Sequence, residues 1–93
     1  MPYEWLDVAF TVIARRGIEP HEVLRVLYGQ RRRPVPMFSP EGIPLLNIYG
    51  RTDTGRLLAV TVRPVRGFDA VIVGAREMNA KEQEEFQTWE LSQ

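Results

Sequence analysis

Residues 45–63 read LLNIYGRTDTGRLLAVTVR, and the fold turns on how this stretch pairs. Two runs rich in apolar and β-branched residues, Leu45 to Arg51 and Leu57 to Arg63, flank Thr52-Asp53-Thr54-Gly55, four residues of turn-forming type. That pattern predicts a β-hairpin. A third segment, Ala70 to Arg76, follows a connection around Pro64 to Asp69 that contains Gly67, so antiparallel pairing of three strands is the simplest arrangement. Strict alternation places Leu46, Ile48, Leu58, Val60, Val62, Val71, Val73 and Ala75 on one aliphatic face, which is expected to cover the core. The other face mixes Asn47, Tyr49, Arg51, Thr61, Arg63 and Arg76 with Leu45, Leu57, Ala70 and Ile72, provided no bulge shifts the register.

Upstream of the hairpin the periodicity is helical. Asp7 is placed to cap a helix running to Arg16, with Gly17 as its stop and Leu6, Phe10, Ile13 and Ala14 as its core stripe. Pro20 suits the first position of a second helix that carries Val23, Leu24, Val26, Leu27 and Tyr28 to Gly29. Residues 30–44 hold four prolines and Arg31, Arg32 and Arg33, and read as a long surface loop. Downstream, Asn79 followed by Glu82 is a capping-box pattern that opens a last helix near Ala80. Its apolar stripe is thin, with Phe86, Trp89 and Leu91 among acids, so weak docking or contact with a neighbouring subunit is expected. The fold class is therefore α+β: an N-terminal helical hairpin packed on a three- to four-stranded antiparallel sheet, with a C-terminal helix.

Composition sets the outer bounds. At 93 residues, 44% hydrophobic and 26% charged, the chain is expected to form one globular domain over residues 1–93, and no apolar run approaches the ~18 residues of a membrane-spanning helix. The absence of cysteine rules out disulfides and thiolate chemistry; with no secretory pattern at the start, a cytoplasmic location is expected. Charge is segregated beneath a net total of zero. Residues 15–76 carry eleven arginines against five acids, for +6, whereas residues 77–93 carry five glutamates against Lys81, for −4. Arginine presents a planar fork to phosphate or carboxylate, so an anionic partner for the middle of the chain is one reading and simple compositional bias the other. No Walker A loop, HExxH, GxGxxG or GxSxG occurs, which leaves nucleotide-driven, zinc-protease, dinucleotide and serine-hydrolase chemistry without support.

The order of short motifs resembles the BrnT family of type II toxin–antitoxin ribonucleases. Tyr3-Glu4-Trp5 stands before the first helix, and Ala14-Arg15-Arg16-Gly17-Ile18 with Glu22 occupies the turn between helices. Gly50-Arg51-Thr52 with Gly55-Arg56-Leu57-Leu58, and Ala75-Arg76 with Glu82 and Phe86, are similar to that family's hairpin and its last strand and helix. Leu6-Asp7 after the tryptophan, a first helix without lysine, and Arg16 before the glycine mark a divergent member. The resemblance implies a RelE-like fold, RNA cleavage that needs no metal or other cofactor, and a ribbon-helix-helix antitoxin as partner.

Metal-free RNA cleavage needs a base for the 2′-hydroxyl, cations at the scissile phosphate, an acid for the leaving 5′-oxygen and a surface for the bases. Arg51 and Arg76 are the candidate phosphate-binding catalytic residues, and Glu82 is the candidate base, by family position, although capping the last helix also accounts for it. Tyr49 is a candidate stacking ring, and Arg56 and Arg63 candidate extensions of an RNA track. His21, in the first turn of a helix, is disfavoured as an acid–base group because the dipole opposes imidazolium there. Arg31 to Arg33 read as an RNA-backbone contact or as a solvated charge run. The competing class is a catalytically inactive binding module: its arginine face meets a partner protein or nucleic acid, and exposed apolar residues of the first and last helices form a homodimer.

Overall fold

The computed structural model describes residues 3–65 and 69–93, in the order β1 (Tyr3–Trp5), α1 (Asp7–Arg15), α2 (Pro20–Leu27), β2 (Arg33–Phe38), β3 (Pro44–Arg51), β4 (Leu57–Pro64), β5 (Ala70–Glu77) and α3 (Ala80–Leu91). The class is α+β, as expected, but the sheet has five strands in the order β1-β5-β4-β3-β2. It is also mixed, because β1 pairs with β5 in parallel while the other three pairings are antiparallel. Two strands thus add to the hairpin core. β1 is only three residues long, too short for a periodic signal, and β2 lies inside the segment expected to be a loop. Pro34 and Pro36 are tolerated there because β2 is an edge strand bonded only to β3, where a missing N–H can face outward.

The β3–β4 turn forms as its residues dictate. Thr52 N–H donates to the Arg56 carbonyl at 2.9 Å and its own carbonyl accepts from Gly55 N–H at 3.0 Å, with Gly55 at φ 85°, a conformation natural to glycine. The β4–β5 connection is closed by Val65 N–H on the Asp69 carbonyl at 3.0 Å; the expected Gly67 turn, like Arg66, lies outside the described residues.

Both N-terminal helices cover one face of the sheet. Ile13 of α1 and Val23, Val26 and Leu27 of α2 form one buried cluster with Ile48, Leu58, Val60, Val62, Ala70, Ile72 and Ala75. Alternation fails in β5, where the register with β4 shifts at Thr61/Val62. Before the shift the core residues are Ala70 and Ile72, and after it Ala75, so Val71 and Val73 leave the core and Arg76 stays on the outer face. In α1 the buried residues are Ala9 and Ile13; Leu6, Phe10 and Ala14 are exposed, and Phe10 instead stacks on Trp5 at 4.5 Å. The N-cap is Leu6 rather than Asp7, which is the first helical residue and still faces the positive end of the dipole. α2 starts at Pro20 with a Glu19–Glu22 capping box, and α3 starts with the expected Asn79–Glu82 box. No helix among the described residues is long and apolar enough to cross a membrane.

Candidate functional site

Register brings three of the expected site residues together. Tyr49 pairs with Ala59, and Ala59 with Arg76, so the three form a row across β3, β4 and β5 on the face away from α1 and α2. Ala59, fully buried, is small enough to leave a gap between the two large side chains. α3 fills that gap with Glu82. Its carboxylate accepts from Arg76 Nη1 at 2.6 Å and Nη2 at 2.8 Å, a bidentate fork, and from the Tyr49 hydroxyl at 2.9 Å. The backbone N–H of Asn79 donates to it as well, at 3.0 Å, completing the capping box. A carboxylate has about four acceptor positions, so Glu82 is saturated. Capping and pairing with arginine are therefore done by one side chain at once.

The electrostatics follow from that geometry. Chiefly through the Arg76 hydrogen bonds, working against desolvation, Glu82 is pulled down from its ordinary value to about 2. Arg76 is raised in return, and Tyr49 is raised first by burial and then by its bond to Glu82. At neutral pH the group is an ionised carboxylate held between a guanidinium and a neutral phenol.

Arg51 stands on the same strand face two residues beyond Tyr49 but belongs to a second pair. It grips Glu90 with Nε at 2.8 Å and Nη2 at 2.9 Å, which holds Glu90 below the ordinary carboxylate range. Glu82, Phe86 and Glu90 follow one another at intervals of four along α3, hence on one side of the helix. The buried Phe86 thus sits between two ion pairs, and these fix α3 to the outer face. Sequence reasoning missed Glu90, although its spacing from Glu82 is the signal that would have found it.

The other expected residues lie elsewhere. Arg56 turns to the inter-helix turn, where Nη1 donates to the Gly17 carbonyl at 2.9 Å and to Glu22 at 3.1 Å, while Nη2 reaches Glu77 at 2.7 Å. It ties three parts of the chain together. Arg63 is exposed at the far end of the outer face, on the rim of a hollow of about 360 Å³ lined largely by Leu6, Ile43, Leu45, Val65, Val71 and Val73. His21 is exposed, with Nδ1 3.2 Å from Glu19, apart from the trio.

No protein-family model matches this chain, and no curated protein matches it either.

Proposed function

We propose that this chain is a metal-independent endoribonuclease of the BrnT-like toxin kind on a RelE-like fold, with Arg76, Glu82 and Tyr49 as its catalytic residues and Arg51 as an adjacent phosphate contact. The observation that carries the reading is the convergence of a carboxylate, a guanidinium and a phenol within hydrogen-bond distance on one face of the sheet. An RNA phosphate competes with Glu82 for the Arg76 fork. As Arg76 turns to the phosphate, Glu82 loses the largest influence holding its pKa down and becomes a stronger base. Glu82 then takes the 2′-hydroxyl proton, the 2′-oxygen attacks phosphorus, and Arg76 stabilises the charge on the phosphoryl oxygens. The bond to the 5′-oxygen breaks, that oxygen takes the Tyr49 proton, and a 2′,3′-cyclic phosphate and a 5′-hydroxyl result. The bond between Tyr49 and Glu82 returns the proton to the phenolate and resets the site. A ribbon-helix-helix antitoxin is the partner this reading calls for.

One observation favours the second reading, a catalytically inactive module that binds RNA or a partner protein. Glu82 is saturated and held at about pKa 2, a weak base as it stands, and Arg51 is likewise committed to Glu90. Val8, Phe10 and Leu91, 54%, 44% and 88% exposed, would then belong to an interface, with homodimerisation as its simplest form.

The test is RNA cleavage in the presence of a chelator by wild type, Arg76→Ala and Glu82→Gln, each checked for native circular dichroism. Gln retains the capping box, so Glu82→Gln removes the base while keeping the cap. The expected result is cleavage by wild type and a loss of about 10²–10⁴-fold in Glu82→Gln, the usual scale of general acid–base catalysis. Folded wild type that leaves RNA intact overturns the enzyme reading in favour of the binding module.

A further inference from the structure

Next to Arg51, the C-terminal end of α2, the loop after it and the C-terminal half of α3 enclose a hollow of about 490 Å³. Arg25, Arg31 and Arg51 line it against the single carboxylate of Glu90, a formal excess of two positive charges. Arg25 is paired with Asp53 and Arg51 with Glu90, whereas Arg31 has no carboxylate partner within 4 Å among the described residues. Arg31 does lie near enough to Glu90 to lower its pKa. Tyr28 is also on the wall: it is 61% exposed, yet Tyr3 meets its ring edge-on at 5.5 Å and 86°. An aromatic ring that is braced and open to solvent is a stacking platform whose ordering cost has already been met in folding.

The backbone sets the approach. A Cβ on Gly50 would come within 3.0 Å of Val26 Cγ1, so α2 sits close against β3, and one on Gly29 would come within 3.1 Å of the Arg25 carbonyl, so the chain turns tightly off the end of α2. The negative end of the α2 dipole faces this region, and Arg32 meets it with Nη1 on the Gly29 carbonyl at 2.9 Å. An anion in the hollow is therefore held by side chains rather than by the helix terminus, and Arg31 is the one with an uncommitted fork.

We infer that this hollow is a second nucleotide subsite for single-stranded RNA, in which Arg31 takes a backbone phosphate and the Tyr28 ring stacks a base. Arg51 stands between it and the row of Tyr49, Ala59 and Arg76, and same-face neighbours on a strand are about 7 Å apart, so one strand of RNA running over Arg51 engages both places. The subsite selects a flexible single strand, because a base must leave its helical stack to reach a side-chain ring. It deepens the RNA reading above and rests on it.

The test uses the full chain and a short fluorescent RNA carrying 2′-O-methyl groups throughout, which lack the attacking hydroxyl, so that binding is measured without cleavage. Arg31→Ala is expected to weaken binding by about tenfold and to reduce the slope of log affinity against log salt by about one. Tyr28→Ala should weaken it by about tenfold with the salt slope unchanged, the signature of lost stacking. Arg15→Ala is the control; exposed in the last turn of α1 and absent from the lining of the hollow, it is expected to bind within about twofold of wild type. If wild type binds and both Arg31→Ala and Tyr28→Ala match it, the subsite is refuted while the RNA reading of the face survives. If wild type itself does not bind, the RNA reading falls and the subsite with it.

Discussion

The two faces of this sheet are held by different physics. On the inner face, α1 and α2 meet aliphatic side chains, among them Leu58, Val60, Val62 and Ile72, all fully buried, and the attraction is non-directional burial of apolar surface. On the outer face, α3 has one buried anchor, Phe86, and is otherwise aligned by two bidentate arginine–carboxylate pairs whose geometry is specific. The inner contact maintains the fold. The outer one keeps charged groups together within reach of solvent, where a polyanion can compete for the same arginines.

Cutting into the inner face should have the largest effect. Leu58→Ala removes a fully buried side chain from the central strand of the sheet and is expected to cost about 2–5 kcal/mol in urea unfolding. A loss under about 1 kcal/mol would mean that the inner face tolerates cavities and is not the main source of stability.

Acid sharpens the contrast next. The Glu82 carboxylate titrates at about 2 in the folded chain against an ordinary 4.5, so its contribution is fully present above about pH 4.5 and is lost as pH falls through 2. Release of α3 followed by Trp89 fluorescence, in a Trp5→Phe background, should be flat at neutral pH and develop only in that acidic window, ahead of the loss of sheet circular dichroism. A transition near pH 6 would contradict the role given to Glu82.

The smallest effect is expected from Glu90→Gln. This change removes a single ion pair in which Arg51 is more than a third exposed, and it should cost less than about 1 kcal/mol, shrinking as salt rises. A cost of several kcal/mol, measured by the same urea titration, would move the outer face into the same class as the inner.

The hairpin, the three helices and the capping box on Asn79 were legible because each depends on local chemistry. The two added strands were not. β1 has no room for alternation, and the prolines that argue against a strand at 34 and 36 argue only against a central one. β5 misled because Ala70 to Val73 are all apolar, so either parity reads as core, and only Gly74, a glycine within a strand, hinted at the register shift. In the candidate site, Arg76 and Glu82 were linked only by the resemblance to a family motif, the sequence by itself offering Glu82 as a helix cap, and Tyr49 joined them through a register that sequence could state only conditionally. The partners that hold Arg56 at the inter-helix turn, Glu22 and Glu77, lie 34 and 21 residues away in the chain. Such long-range pairing leaves no local mark.

The prolines of β2 have one more consequence. An outer strand with a full set of N–H groups offers a template on which a second chain can extend the sheet. Pro34 and Pro36 withdraw two of those donors along the six residues of β2, so a newcomer would meet carbonyls without matching hydrogens. The rim of the sheet is thereby guarded against self-templated growth into fibrils, and a Pro34→Val, Pro36→Val chain would lose that guard while keeping the same core.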